Sequence, residues 1–166
     1  MSAWKEKICQ GNHCFNQQHW HLAEKAYLNA ARELEQEWFT NLTDVPLMMA
    51  WIANMHNLAT LYETTQRPQM ASPFFVQPYQ RILILMREEN LPGEFQSSLL
   101  HAMRTVIIPL LDFSKRYPIC ECCQKQLEKM KGWLNQMPSC QAFPCDKGSC
   151  QSTLRKKQLS GSQTIH

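Results

Sequence analysis

The chain has 166 residues, of which 44% are apolar and 19% charged, so it is long enough for one globular domain with a buried core. Its net charge is only +3 and comes partly from a short basic run at 155–157, whereas nucleic-acid binders carry a denser basic stripe. The N-terminus lacks the apolar region of a secretory signal, and the longest apolar runs, 46–53 and 106–111, are far short of the ~20 residues that span a bilayer. We therefore expect a cytoplasmic protein that binds neither nucleic acid nor membrane.

Helical periodicity dominates the chain, and this predicts an all-α fold. We expect helices at about 3–17, 19–39, 45–65, 68–89, 94–116 and 118–136. Asp44 suits the N-cap of the third, and Pro68 and Pro118 suit first helical positions, where no N–H is needed. Pro78 and Pro109 lie deeper, where proline kinks or interrupts a helix. Apolar periodicity then ends, which predicts a helical domain over 1–137 and a mobile, cysteine-containing polar tail over 138–166.

Two segments place small and aromatic residues at the spacing that closely packed antiparallel helices need. The first carries Gly11, Asn12, Phe15, Trp20, Ala23, Tyr27 and Ala30, and the second carries Asn57, Leu58, Ala59, Leu61, Tyr62, Ala71, Pro73 and Phe75. The first resembles a tetratricopeptide repeat (TPR), a helix–turn–helix unit, and the second resembles the kinesin-light-chain variety of that repeat. The anchors Gly11 and Ala59 lie 48 residues apart, so the helices should extend beyond the usual unit of about 34 residues.

The resemblance implies a short α-solenoid of about three such hairpins, wound as a right-handed superhelix. Its small and aromatic positions are expected in the core, namely Ala23, Tyr27, Ala59, Tyr62, Ala71 and Phe75. Solenoids of this kind mostly bind other proteins. The short chain also fits an uncharacterised bacterial family of TPR-like proteins.

In such a solenoid the first helix of each pair forms the concave face. The candidate peptide-binding residues on this face are Lys5, Ile8, Asn12, Phe15, Asn16, His56, Asn57, Thr60 and Thr64. Asn12 and Asn57 can hydrogen-bond an extended peptide or its terminal carboxylate, and they match the two asparagines of the carboxylate clamp of some TPR proteins. Ile8 stands where that clamp has its main lysine, so Lys5 or Arg104 would have to compensate.

Cysteines cluster in two places, and these are the candidates for a metal site: Cys120, Cys122, Cys123, Cys140, Cys145 and Cys150. A helix N-terminus stabilises a thiolate, so Cys120 is a candidate for raised reactivity. Structural zinc sites usually show two Cys-x-x-Cys knuckles, whereas the spacings here are interpreted as containing no Cys-x-x-Cys pair, so we expect no metal and no cofactor. Cys9, Cys14 and Cys123 are expected to pack inside as small apolar residues.

No phosphate-binding loop, zinc-protease motif or nucleophile elbow is present, so we expect no enzyme. The expected function is a protein–protein interaction module, an adaptor or regulator that binds a peptide or protein segment in the concave groove. Two alternatives stay open. One is a cysteine-based regulator that binds metal or responds to redox state, and the other is a structural homo-oligomer, a homodimer with an empty groove, because a short solenoid leaves apolar ends uncovered.

Overall fold

The computed structural model of the chain describes residues 2–137. This part of the chain contains six helices and no strand, so the predicted all-α class is confirmed. The helices are α1 (Ala3–Asn16), α2 (Trp20–Thr40), α3 (Val45–Thr64), α4 (Pro68–Leu85), α5 (Gly93–Arg116) and α6 (Glu121–Gln136). The predicted tail at 138–166, with Cys140, Cys145 and Cys150, lies outside the described residues.

Two of the predicted helix ends are wrong by several residues. α4 ends at Leu85 rather than near 89, because the N–H groups of Arg87 and Glu88 turn back to carbonyls only three residues earlier. α6 begins at Glu121 rather than at Pro118, because Cys120 has an extended backbone and occupies the N-cap. The remaining ends lie within one residue of the expected positions, and the carboxylate of Asp44 accepts from the Leu47 N–H at 2.9 Å as an N-cap should.

Pro78 was expected to kink or interrupt α4, and Pro109 was expected to kink α5, but neither proline interrupts its helix. Pro78 and Pro109 both lie inside continuous helices. Each removes only one N–H from its helix. Phe75 and Ile82 on either side of Pro78 are buried in the core, so packing holds the two halves of α4 together across the missing hydrogen bond.

Each helix packs against the next in chain order, and α3 also contacts α5. The six residues predicted for the core are all buried, as listed here: Ala23, Tyr27, Ala59, Tyr62, Ala71 and Phe75. The largest wholly buried side chains, Trp38 and Trp51, come from α2 and α3 and meet with ring centroids 5.3 Å apart. Within residues 2–137, no helix is both long and apolar enough to cross a membrane.

The turn from α1 to α2 and the turn from α3 to α4 have the same backbone geometry. Gln18 and Gln66 have left-handed φ values of 61° and 57°, and they lie 48 residues apart. In each turn the backbone N–H of the residue after the glutamine donates to the carbonyl five residues earlier. The distance is 2.9 Å from His19 to Cys14 and 2.7 Å from Arg67 to Tyr62. This pattern closes a helix through a left-handed residue, a position that glycine usually takes.

Candidate functional site

A polar cleft of about 280 Å³ lies where side chains from α1, α2 and α3 meet. It is lined by Asn12, Phe15, Asn16, Tyr27, Asn57 and Thr60. All of these except Tyr27 are among the nine groove residues predicted from the sequence. The structure therefore brings five of those residues around one opening.

The shape of the cleft depends on a close contact between Gly11 and Tyr27. A Cβ atom at position 11 would lie 2.5 Å from Cε1 and 2.6 Å from Cδ1 of the Tyr27 ring. Only glycine therefore allows this ring to lie against the backbone of α1. The ring is buried, and desolvation, with a smaller contribution from Cys14, raises the pKa of the Tyr27 phenol, which stays neutral.

Two asparagines form hydrogen bonds with Tyr27, one at its phenol and one at its backbone carbonyl. The phenol donates to Oδ1 of Asn12 at 2.7 Å, which orients that amide at the cleft. The Tyr27 carbonyl accepts from Nδ2 of Asn54 at 2.9 Å, and Asn54 is wholly buried. Since Asn54 and Asn57 are three residues apart on α3, this contact also sets the position of Asn57 relative to α2.

The amides of Asn16 and Asn57 have no hydrogen-bond partner among the described residues. Each offers two donors and two acceptors, which is the combination that an extended peptide backbone can pair with. No charged side chain lines the cleft. The site is therefore suited to neutral hydrogen-bonding groups rather than to an ion.

Four predicted groove residues lie elsewhere. Ile8 packs half-buried against the core, and Lys5 and Thr64 are exposed without lining the cleft. The His56 ring lies 5.9 Å from the ring of Phe75, and burial lowers the pKa of this histidine. His56 is therefore a neutral, mostly packed side chain rather than a groove ligand.

The compensating cation expected for a carboxylate clamp is not present in the cleft. Nη2 of Arg104 donates to the carbonyls of Leu134 and Met137 at 2.9 and 3.0 Å, so it closes the end of α6. Lys5 lies over the ring of Trp4 and does not line the cleft. The expectation for Arg104 is wrong because its guanidinium is committed to two carbonyls at the end of α6.

A second polar group, which the sequence analysis missed, joins α2 to the turn between α3 and α4. The Tyr62 phenol donates to Glu24 at 2.6 Å, and Arg67 pairs with the same carboxylate at 3.3 Å. Burial first, and then the hydrogen bond and charge of Glu24, raise the pKa of Tyr62 to about 12, with Arg67 acting in the opposite direction. This group ties α2 to α3 and to the turn that follows it.

The cysteines differ from expectation in two respects. Cys14 is buried as predicted, but Cys9 and Cys123 are exposed. Cys120 and Cys123 form one Cys-x-x-Cys pair that the sequence analysis overlooked, although the spacing alone reveals it. Within the described part of the chain, no three metal-ligating side chains come together.

The structure therefore shows an all-α protein with an uncharged polar cleft. The chain belongs to the family described as protein of unknown function (DUF2753), which matches residues 2–146. No curated protein and no solved structure matches the chain.

Proposed function

We propose that this chain is a TPR-like helical-repeat protein that binds an extended segment of another protein in the polar cleft. The observation that carries the proposal is the pair of amides, Asn16 and Asn57, that face one opening without partners among residues 2–137. Asn16 on α1 and Asn57 on α3 line the same opening, and two unpartnered amides can pair with the alternating N–H and C=O groups of an extended chain.

The repeated turn supports the helical-repeat part of the proposal. Gly11, Ala23 and Tyr27 in the first hairpin have Ala59, Ala71 and Phe75 as counterparts at the same 48-residue spacing as the two left-handed glutamines. Small residues therefore recur where helices approach, and rings recur beside them. At the end of α5, Tyr117 has an extended backbone instead, and a terminal hairpin that caps a stack is expected to differ.

The lining of the cleft favours an internal peptide segment over a C-terminal carboxylate. A carboxylate that lost its water here would have no cation to pair with, and such burial is unfavourable. Phe15 lies in the lining and meets Trp20 edge-on with ring centroids 5.2 Å apart. This aromatic pair offers a contact for one apolar side chain beside the hydrogen-bonded backbone.

The test compares proteins captured from native cytosol by the wild type and by Asn16→Ala/Asn57→Ala. Neither amide has a partner within residues 2–137, so this variant should fold normally, whereas Asn12→Ala would leave the Tyr27 phenol unpaired. Asn90→Ala/Asn135→Ala makes the same chemical change at two exposed positions away from the cleft.

We expect a partner whose affinity falls about 5- to 150-fold in the cleft variant, since two hydrogen bonds contribute about 1–3 kcal/mol, and whose affinity stays unchanged in the control. A partner bound equally well by both variants would place the binding surface elsewhere. The homodimer alternative predicts a concentration-dependent mass in sedimentation that neither variant changes.

A further inference from the structure

Two thiols meet at the start of α6. Sγ of Cys120 lies 2.6 Å from Sγ of Cys123, and both side chains are exposed. We propose that these two cysteines form a reversible redox pair that closes to a disulfide by exchange with a small disulfide such as oxidised glutathione. This proposal does not depend on peptide binding in the cleft.

The local backbone holds the pair together. Cys120 is the N-cap of α6, with φ −59° and ψ 145°, and its sulfur accepts from the backbone N–H of Cys123 at 3.3 Å. An N-cap side chain turns back over the first helical turn, so it reaches the third helical residue. The two sulfurs therefore approach each other as a consequence of capping, with no rearrangement of the chain.

The two thiols are chemically unequal. The pKa of Cys120 is lowered, chiefly by the hydrogen bond from the Cys123 side chain and then by the N–H of Cys123. The same side-chain contact raises the pKa of Cys123. Cys120 is therefore the thiolate that attacks, and Cys123 is the thiol that resolves.

Thiol–disulfide exchange forms the protein disulfide in two steps. The Cys120 thiolate attacks one sulfur of the small disulfide, which forms a mixed disulfide and releases one small thiolate. Cys123 then loses its proton and attacks Sγ of Cys120, which forms the protein disulfide and releases the second small thiolate. Two protein thiols are oxidised, the small disulfide is reduced to two thiols, and these take up the two protons.

Cys122 is poorly placed to form a disulfide with either Cys120 or Cys123. Cys122 lies two residues after Cys120 and one before Cys123, and residues at these spacings do not face each other on a helix. Cys123 also lines an apolar cleft of about 170 Å³ with Ile119 and Leu127. The mixed disulfide forms on Cys120 instead, which does not line that cleft and is exposed to solvent.

The experiment uses the full chain, reduced and treated with a chelator, then equilibrated in glutathione buffers of increasing disulfide content. After acid quenching, free thiols are alkylated and the protein is digested with trypsin. Cleavage after Arg116 and Lys125 gives the peptide 117–125, which contains Cys120, Cys122 and Cys123 and no other cysteine. Its mass shows how many thiols escaped alkylation.

We expect the wild type and Cys122→Ser to form the disulfide within this peptide, and Cys120→Ser and Cys123→Ser to lose it. Serine is a preferred N-cap, so Cys120→Ser keeps the helix start and removes only the sulfur chemistry, which circular dichroism checks. Cys9→Ser changes an exposed cysteine elsewhere and should leave the oxidation unchanged.

A peptide that stays fully alkylated in every buffer would overturn the proposal. So would loss of the disulfide in Cys122→Ser, or a disulfide to a cysteine beyond residue 137. Stoichiometric zinc in the purified protein, lost in Cys120→Ser and protecting the three thiols from alkylation, would overturn it in favour of a metal site.

Discussion

Gly11→Ala should destabilise the protein, although alanine is the better helix former. The new methyl would lie 2.5 Å from a carbon of the Tyr27 ring, a distance that requires the ring or α1 to move. Overpacking of this kind costs about 1–3 kcal/mol, and displacing the ring also weakens the hydrogen bond to Asn12, worth about 1 kcal/mol. The higher helix propensity of alanine offsets about 1 kcal/mol of this cost, so the free energy of unfolding should fall by about 1–3 kcal/mol in total.

Gly132→Ala is the matched control. Gly132 is also inside a helix, but a Cβ there would meet nothing within 4 Å. Only the higher helix propensity of alanine matters here, so this variant should be about 0.5–1 kcal/mol more stable than the wild type. Urea unfolding followed by circular dichroism gives both values, and the slope of each transition shows whether the two variants unfold to comparable extents.

The two variants should change the free energy of unfolding in opposite directions. If Gly11→Ala were as stable as Gly132→Ala, the ring of Tyr27 would not lie against α1. A double mutant adds a second check, because Tyr27→Leu removes the ring atoms that the methyl meets. The cost of Gly11→Ala should then shrink, whereas independent sites would show additive effects.

Three further changes test separate contacts. The pKa of Tyr62 is raised from 10.0 to about 12 in the folded chain, so stability should fall as pH rises between these values, and Tyr62→Phe should flatten that fall in urea titrations. Burial lowers the pKa of His56 below 6.5, so stability that is present above that pH should be lost as pH falls. His56→Gln should reduce this loss, and the same dependence of stability on acidic pH in the wild type and the variant would contradict this prediction. Arg104→Met removes two hydrogen bonds to the end of α6, each worth about 1 kcal/mol, and should speed amide exchange there, while unchanged rates would refute the contact.

The sequence predicted the helices well because apolar periodicity and N-cap chemistry are local properties. It failed at the start of α6 and at Pro78 for reasons that lie outside those local rules. Cys120 acts as an N-cap through its sulfur, although cysteine is not among the usual capping residues. Pro78 was expected to kink or interrupt α4, but burial of its neighbours on both sides keeps the helix continuous.

The candidate site was predictable only in part. The repeat frame identified Asn12, Asn16 and Asn57, because residues on one helix face follow from spacing. It could not show that Arg104 is used by the end of α6, since that contact joins residues 30 apart in the chain. It also placed Tyr27 only in the core, although the phenol oxygen was the available signal that this ring reaches a polar partner.

The polar cleft lies where α1, α2 and α3 meet, and it depends on residues that the second helical hairpin lacks. At the 48-residue spacing Tyr27 has Phe75 as its counterpart, and Asn12 has Thr60, so the second hairpin cannot form the phenol–amide hydrogen bond. Gly11 has Ala59 as its counterpart, which implies that the second ring lies farther from its neighbouring helix. The ring that presses on Gly11 is therefore what distinguishes the first hairpin. If binding depends on the cleft, Tyr27→Phe should weaken it even though phenylalanine is what the second hairpin already carries.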